Sequence, residues 1–315
     1  MFSYRHAFHA GNHGDVLKHV TLLAVLRHLM RKPGPLLLVD THAGAGRYRL
    51  DGAQAVKSAE AAAGVLRLQG GGHGAGAALP RMPAAHILQD YLALLQRFNG
   101  PAANAWTVYP GSPAIMHALM SEPGRAGVAD RLHLFEWHPT VHELLARQLA
   151  SWPDARRVLL RRADGFAGLR GELPPPRAAS QPRRAFVLID PAYEVKTDYD
   201  AVLQATADAL ARCATGVYMI WHPVVAQPGA VALPRRLQSL AGRADRAWLH
   251  ATLDVGRTTA PRAGADVRGG MAASGVFVIN PPYTLAEGLR AALPWLAQAL
   301  TRGNAERWQV EQHGA

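Results

Sequence analysis

The sequence has 315 residues, of which 49% are hydrophobic, so it can bury the core of one large domain or of a domain with an insert. Its 34 Lys and Arg residues outnumber its 23 Asp and Glu, and the net charge of +11 favours a polyanionic partner such as nucleic acid, although an arginine-rich composition alone gives the same charge. The single cysteine, Cys213, excludes a disulfide framework and a thiolate metal site, while the lack of a secretory signal and of a long apolar run predicts a cytoplasmic protein.

The first 14 residues are rich in His, Tyr and Arg, and a helix is predicted directly after them. Asp15 is predicted as its N-cap, and apolar residues recur at helical spacing as far as Met30. His9 and His13 have the spacing of a helical metal pair, but the glycine and asparagine between them disfavour a helix there. We therefore predict a polar arm that becomes ordered against a ligand. His19 fits either the core or a ligand-facing position.

A short apolar strand over Leu36–Val39 is followed by Asp40 and by a turn that contains Gly44 and Gly46. Glycines in such a turn let the backbone approach a ligand closely and leave N–H groups open. The dinucleotide fingerprint needs a third glycine where this chain has Arg49, and a P-loop lysine is missing. An acid directly before a short glycine turn is the form found in S-adenosylmethionine (SAM) sites.

Residues 51–106 interrupt the alternation of strands and helices. An Ala-rich helical segment leads into a Gly-rich run over residues 69–80, and a second helix follows with an apolar stripe that includes Tyr91 and Leu95. We therefore predict a small helical insert with a flexible loop.

Two further predicted strands end in acidic residues. Residues 132–135 lead to Glu136, and an acid at that position can bind both hydroxyls of a ribose, although a surface glutamate is the alternative. Residues 158–160 lead to Asp164 and Gly165, where the carboxylate can accept a hydrogen bond from an adenine amino group. Between the glycine turn and these strands, Ser112 is predicted to cap a helix.

The wholly apolar run Phe186–Ile189 is predicted to be a central strand buried on both faces. It ends at Asp190, and Pro191 cannot extend the ladder, so a carboxylate lies at the carboxyl end of the strand with the ring of Tyr193 close by. In open α/β sheets ligands bind at that edge. Downstream we predict strands over residues 216–221, 248–255 and 275–279, then a helix over 285–300 broken by Pro294, and a polar tail.

Two turns, DPAY at Asp190–Tyr193 and NPPY at Asn280–Tyr283, resemble the [DNS]-P-P-[FYW] turn of amino-directed methyltransferases. The catalytic turn is expected after the fourth strand, with further strands downstream. That condition favours Asp190, because the residues after Tyr283 are predicted to be helical.

The chain contains a series of longer motifs, which are SYRHAFHAGNHGDVLKH, DTHAGAGRYRL, YPGSP, EWHP, RADGF, IDPAYEVKTDY and the GMAASG–VINPPY end. Through these motifs the chain resembles the RlmJ family of 23S rRNA adenine-N6 methyltransferases over nearly its whole length. It departs from the family at Ala192, where the family turn usually has a second proline, although Pro191 and its carbonyl are kept.

The resemblance implies an α/β fold of the class I SAM-dependent methyltransferases, with a Rossmann-like, seven-stranded, mostly parallel sheet and a small helical insert. We divide the chain into an N-terminal arm, helix and glycine turn (1–50), the insert (51–106), the rest of the methyltransferase domain (107–283) and a C-terminal helix and tail (284–315). SAM is the expected cofactor. The protein is expected to be a monomer, and its expected partner is 23S rRNA free of most ribosomal proteins. No membrane or metal is expected.

The resemblance also implies site residues. It adds further SAM-binding residues to Gly44 and Gly46 of the turn. It also makes Asp190 the catalytic acceptor, with the Pro191 carbonyl beside it and Tyr193 stacking on the base. The further SAM residues are His19, His42, Ser112, Glu136, Asp164 and Gly165, and the residues implied to meet the RNA are Tyr4, His6 and Lys18.

In the mechanism that follows, Asp190 and the Pro191 carbonyl accept the two amino hydrogens of an adenine that has left its helix. Three alternatives stay open. One is a DNA adenine or protein amide methyltransferase with the same chemistry. Another is a nucleotide-dependent oxidoreductase, which the missing third glycine disfavours. The third is an RNA-binding relative that has lost catalysis through Ala192.

Overall fold

One large sheet organises the structure, a computed structural model that describes residues 6–71, 86–176, 183–256, 271–302 and 307–314. Eight strands form this sheet, in the order β10-β8-β9-β7-β6-β1-β4-β5, and β2 and β3 form a small separate one. The strands are β1 (Leu37–Asp40), β2 (Arg47–Arg49), β3 (Val108–Pro110), β4 (Arg131–Phe135), β5 (Val158–Arg161), β6 (Ala185–Ile189), β7 (Val217–Val224), β8 (Trp248–Asp254), β9 (Ala273–Ile279) and β10 (Arg307–His313).

The central strands are parallel. β1 pairs in parallel with β4 and β6, β4 with β5, and β6 with β7, whereas β9 is antiparallel to both β7 and β8. The predicted class I methyltransferase fold, with its mostly parallel sheet, is confirmed. The eighth strand, β10, pairs antiparallel with β8 and covers the edge that β8 would otherwise expose.

Helices cover both faces of this sheet. Leu38 of β1 contributes to the core on one face, and Leu37 and Val39 contribute to the core on the other, because successive strand residues point in opposite directions. The helices are α1 (His13–Leu29), α2 (Ala53–Ser58), α3 (His86–Asn99), α4 (Ser112–Met120), α5 (Pro139–Leu149), α6 (Gly165–Glu172), α7 (Asp198–Arg212), α8 (Pro228–Arg243) and α9 (Leu285–Leu300). None of the helices in the described ranges is long and apolar enough to cross a membrane.

Two predicted helix caps are wrong by a few residues. Helix α1 begins at His13 and is capped by Asn12, whose Oδ1 accepts a hydrogen bond from the backbone N–H of Asp15 at 2.9 Å. Asp15 itself lies in the first turn, where its carboxylate is used by the site described below. Helix α4 begins at Ser112, and its N-cap is Gly111.

Two predictions for the C-terminal region are also wrong. Pro294 does not break α9, because it lies on the exposed side of the helix while Leu293 and Trp295 beside it are buried and hold the helix against the core. The polar tail contains β10, whose residues are mostly exposed. An edge strand with both faces near solvent lacks the apolar alternation from which a strand is predicted.

The predicted helical insert contains α2, a 3₁₀ helix over Val65–Gly71, and α3. Its two ends are joined by the pairing of β2 with β3, which the sequence did not predict. Tyr91 of α3 is buried in the main core, so the insert packs as part of the domain. Much of the Gly-rich run, from residue 72 onward, lies outside the described residues, and the division of the chain into four segments stays a prediction.

Candidate active site

A cleft of about 1060 Å³ lies at the carboxyl edge of the parallel strands, where β1, β4, β5 and β6 end. The glycine turn follows β1, Glu136 follows β4, Asp164 follows β5, and Asp190 follows β6. Strands that are far apart in the chain thus place their terminal acids and glycines around one cavity. This is the position at which open α/β sheets bind ligands.

The glycine turn has the conformation that its sequence predicts. Gly44 and Gly46 have φ of +66° and +83°, in the region that favours glycine. A Cβ atom at Gly44 would collide with Oη of Tyr48, which accepts a hydrogen bond from the N–H of Ala45 at 3.0 Å. Tyr48 therefore holds the turn, and any side chain at Gly44 would displace it, so this position requires glycine.

Glu136 is joined directly to this turn. One of its carboxylate oxygens accepts from the N–H of Gly44 at 2.9 Å, and the other accepts from the N–H of His138 at 2.8 Å. Burial raises the pKa of Glu136 above its ordinary value. The alternative of a surface glutamate is therefore wrong, because Glu136 lines the cleft and is fixed by two backbone donors.

Asp164 and Gly165 lie at the start of α6. One oxygen of Asp164 caps this helix by accepting from the N–H of Phe166 at 2.8 Å, and the residue stays exposed at the cleft. A Cβ at Gly165 would overlap the carbonyl of Thr41, so glycine permits the close approach of α6 to the glycine turn.

Three polar side chains line the cleft between the glycine turn and the first helices. His19 is 1% exposed; its Nδ1 lies 2.8 Å from Oη of Tyr109, and its Nε2 has no hydrogen-bond partner in the described structure. Burial and the nearby Lys18 charge hold the pKa of His19 well below its ordinary value, so the ring is neutral. The other two side chains are His42 and Ser112.

His42 is held by its neighbours in the same turn. Its Nδ1 lies 2.8 Å from Oγ1 of Thr41, and its ring packs edge-on against Phe166 at 4.8 Å between centroids. Burial lowers the pKa of His42 to about 4. Burial also raises the pKa of Asp40, at the end of β1, to about 7, in spite of a hydrogen bond from Ser112.

Asp190 is bound by a buried lysine. Nζ of Lys18 lies 2.7 Å from Oδ2 of Asp190 and 2.7 Å from Oδ1 of Asp15. The second oxygen of Asp15 lies 2.9 Å from Nε2 of His6 and accepts from the N–H of Gly11 at 2.9 Å. The arm, the first helix and the turn after β6 thus share one hydrogen-bonded chain.

The charges in this chain stabilise one another. Burial alone would lower the pKa of Lys18, but Asp15 and Asp190 hold it well above its ordinary value. Burial alone would raise the pKa of Asp15, but His6 and Lys18 hold it well below its ordinary value. One ammonium is therefore shared between two carboxylates, and it fixes Asp190 in place while its side chain is 15% exposed to the cleft.

Tyr193 is buried beside Asp190, with 8% of its surface exposed. Its Oη donates to the carbonyl of Trp221 at 2.6 Å, and its ring lies 4.8 Å from that of Tyr199. Its φ of +53° is in the region that side chains other than glycine seldom adopt. The turn is therefore held by packing in a conformation that brings the ring to the wall of the cleft.

The structure brings together most of the predicted site residues. Gly46 does not line the cleft; its carbonyl accepts from the N–H of Gly111 at 2.7 Å and so anchors the turn. Tyr4 lies outside the described residues. The predicted residues that line the cleft are His6, Lys18, His19, His42, Gly44, Ser112, Glu136, Asp164, Gly165, Asp190, Pro191 and Tyr193.

Sequence reasoning missed three residues of this site. The sequence analysis predicts Asp15 as a helix cap, although its spacing of three from Lys18 is that of an ion pair on a helix. Tyr48, which holds the glycine turn, gave no signal. Glu60 of the insert lines the cleft and binds His9 and Asn12 of the arm at 2.9 Å and 3.0 Å, a contact between distant segments that no local pattern indicates.

The second turn, NPPY, lies at the other edge of the sheet. The last residue of β9, Ile279, pairs with Tyr218 near the start of β7, because the two strands are antiparallel. The side chain of Asn280 donates to the carbonyls of Ala214 and Gly216 at 2.9 Å and 2.7 Å. The choice of DPAY over NPPY therefore agrees with the position of the cleft. Among the described residues no group of three or more His, Cys, Asp or Glu could hold a metal ion.

Comparison with known proteins gives one consistent family. A family model described as "Ribosomal RNA large subunit methyltransferase D, RlmJ" matches residues 33–312. A protein named "Ribosomal RNA large subunit methyltransferase J" from Escherichia coli K12 is 37% identical over 300 residues, covering 95% of this chain and 94% of the relative. Its namesake from Haemophilus influenzae is 36% identical over 311 residues, covering 99% and 98%.

A solved structure shares the fold. The crystal structure of a protein from Legionella pneumophila is 27% identical to this chain and superimposes with a TM-score of 0.76. The alignment covers 96% of this chain and 98% of the Legionella protein. The likeness thus extends beyond the sheet to the insert and the C-terminal segment.

Proposed function

This chain belongs to the RlmJ family of ribosomal RNA large subunit methyltransferases, and we propose that it transfers the methyl group of SAM to the exocyclic nitrogen N6 of one adenine in 23S rRNA. The observation that carries the proposal is the position of Asp190. Its carboxylate is held by Lys18 at the carboxyl edge of the sheet, in the same cleft as the glycine turn and Glu136.

The cleft fits SAM. The unpartnered Nε2 of buried His19 offers a donor or acceptor at the cleft, and Gly44 of the glycine turn lines the same cleft. Glu136 at the end of β4 suits the ribose hydroxyls. The residues proposed to hold SAM are His19, His42, Gly44, Ser112, Glu136, Asp164 and Gly165, with Gly46 supporting the turn. When bound, SAM supplies the activated methyl group.

The protein's own residues position the base. We propose that the carboxylate of Asp190 and the carbonyl of Pro191 accept the two amino hydrogens of the adenine, which directs the nitrogen lone pair toward the methyl group. Positioning of the reacting atoms supplies most of the acceleration. Asp190 can receive the proton during or after transfer, so it need not act as a full base beforehand. Tyr193 forms the wall on which the base stacks.

In this proposal Lys18 orients Asp190, whereas His6 and Tyr4 meet the RNA. Lys18 is 5% exposed and its ammonium already binds two carboxylates, so its proposed task is to orient Asp190. His6, bound to Asp15, lines the cleft on the arm side and is proposed to meet the RNA. Tyr4 is proposed to do the same from the segment that precedes the described residues.

The substrate and setting are also proposals. The net charge of +11 supports binding to a polyanion. A base inside a folded ribosomal particle is hard to extrude, so we propose a substrate free of most ribosomal proteins, bound by a monomer in the cytoplasm.

The test is incorporation of labelled methyl from SAM into unmodified 23S rRNA, followed by digestion to nucleosides and mapping of the modified position. We expect N6-methyladenosine at one site. Label that persists after RNase treatment would favour DNA or a protein amide as substrate. If the purified protein binds SAM and RNA but transfers no label, the alternative of an RNA-binding relative without catalysis is correct. A thermal shift with NAD but not with SAM would indicate an oxidoreductase.

A further inference from the structure

Helix α8 has a solvent-facing stripe of residues in addition to the apolar face that it buries against the sheet. Leu233 and Leu237 are fully buried against the sheet. Pro228, Val231 and Arg235, at spacing i, i+3 and i+7, line a groove of about 500 Å³ on the outside, where Val231 is 66% exposed. An apolar residue this exposed, in a concave surface beside an arginine, indicates a face that contacts something.

The groove adjoins the cleft at one residue. Gln227, which precedes α8, lines both of them. Its Oε1 accepts a hydrogen bond from Oη of Tyr199 at 3.2 Å, and the ring of Tyr199 packs against Tyr193 of the catalytic turn. A chain that leaves the cleft past Tyr193 on this side therefore meets the start of α8 next.

The charge of the groove has one sign. Its lining contains Arg235 and Arg236 and no acidic residue. Arg236 is engaged by Asp200 of α7 at 2.6 Å, whereas Arg235 is exposed and has no ion pair within the described ranges. Arg235 lies seven residues beyond Pro228, about 10 Å along the helix, so it stands well outside the cleft.

We propose that this groove binds the RNA strand next to the target adenine, with a base or ribose on Pro228 and Val231 and a phosphate at Arg235. The inference rests on the proposed function, because it assigns a second surface to the same substrate. The target adenine must leave its helix to reach Asp190, so the flanking nucleotides are drawn to the mouth of the cleft.

RNA fits this groove better than a protein does. Seven residues line it, whereas a stable protein interface uses about 20–30 residues on each side. An arginine without a counter-ion beside aliphatic carbon is the combination that single-stranded nucleic acid binds through phosphate and base. A second copy of this chain carries the same positive groove and so offers no complementary charge.

The experiment compares R235E with R243E, which makes the same charge change on the exposed last turn of the same helix, far from the cleft. We expect R235E to raise the KM for 23S rRNA at least about fivefold and to leave kcat and the affinity for SAM unchanged. Loss of one phosphate contact should also reduce the slope of log KM against log salt by about 0.7. R243E should change neither quantity.

The inference is overturned if R235E and R243E give the same KM and the same salt slope. It is also overturned if R235E changes the sedimenting mass of the protein without changing RNA binding, since the groove would then serve a protein partner. Should the wild type fail to methylate 23S rRNA, the proposed function fails; fluorescence anisotropy with a labelled rRNA fragment still compares the two variants and decides the groove separately.

Discussion

Two turns of nearly the same sequence lie at opposite edges of one sheet. Asp190–Tyr193 follows β6, which is parallel to β1, and it lines the cleft. Asn280–Tyr283 follows β9, which is antiparallel to β7, and it lies at the amino edge. Tyr193 is 8% exposed in the first turn, whereas Tyr283 is 78% exposed in the second.

The partners of the two leading residues differ accordingly. Asp190 is carried by a buried ammonium at 2.7 Å, whereas the side chain of Asn280 closes a loop by binding the carbonyls of Ala214 and Gly216. Both Tyr193 and Asn280 have positive φ, so strain alone does not mark the functional turn. Strand direction decides which turn can meet the glycine turn of β1, and the motif itself does not.

The largest expected effect separates the two turns by their leading residues. D190A should lower kcat by about 10²–10⁴-fold and leave the affinity for SAM within a few fold, because it removes the proposed acceptor of the amino hydrogens. N280A should leave kcat within about twofold and cost ~1–2 kcal/mol of stability, since alanine tolerates positive φ poorly and leaves two carbonyls unpaired. Methyl-transfer kinetics and urea unfolding measure both. Equal losses of kcat in the two variants would break the comparison.

The next prediction tests the role of the buried ammonium of Lys18, which contacts the turn that begins at Asp190. D15N keeps the shape of Asp15 but removes one of the two carboxylate charges that contact the ammonium of Lys18. We expect kcat to fall about 10- to 100-fold, the value of a charged hydrogen bond of ~1.5–3 kcal/mol, with little change in the KM for SAM.

The matched control for D15N is D51N, at an exposed carboxylate that binds Arg49 on the surface. D51N should leave kcat unchanged. If D15N loses stability in urea but retains full kcat, Asp15 serves the fold only, and Lys18 orients Asp190 without it.

A smaller effect concerns the stability of the protein at acid pH, and it compares two histidines inside the sheet with one at the surface. Burial lowers the pKa of His222 to about 3 and that of His250 to about 4, and their Nε2 atoms lie 3.0 Å apart. The unfolded chain binds protons on these residues at higher pH than the folded protein does. Their contribution to stability is therefore present above pH ~6.5 and is lost as the pH falls toward 4.

We expect the melting temperature of the wild type to fall over that pH window and that of H222Q to fall less. H86Q, at the exposed His86, is the control and should follow the wild type. The raised pKa of Asp40 acts in the opposite direction, because Asp40 destabilises the folded state as the pH rises toward 7. Equal falls in the melting temperatures of the wild type and H222Q between pH 6.5 and 4 would contradict the assignment.

The smallest expected effect makes the two turns alike. A192P changes DPAY to DPPY, the proline pair that NPPY already contains. Ala192 is exposed and Pro191 keeps its carbonyl, so we expect kcat to change less than about threefold. A gain of tenfold or more would show that Ala192 weakens the turn of this chain, and single-turnover methyl transfer measures either result.

The parts of the fold that the sequence predicted are those with a local signal. The apolar run before Asp190 predicted a central buried strand, and the glycines after Asp40 predicted the turn that meets Glu136. Local periodicity also predicted the seven main strands, and the bounds of α9 agree with the prediction.

What the sequence did not predict depends on contacts between distant segments or on weak patterns. Lys18 and Asp190 are 172 positions apart, and nothing near either residue indicates that they meet. β10 is polar because it lies at an edge, and β2 and β3 are short strands that join the ends of an insert. The RNA roles of Tyr4, His6 and Lys18 came from the family resemblance, and they stay predictions.

The most direct test of the central claim is a crystal structure with S-adenosylhomocysteine and adenosine monophosphate bound. The account predicts the sulfur of the first ligand against the glycine turn and the adenine amino group of the second within hydrogen-bond distance of Asp190 and the Pro191 carbonyl. It is contradicted if the adenine lies away from Asp190, or if the sulfur lies outside the cleft that Asp190 and Gly44 share.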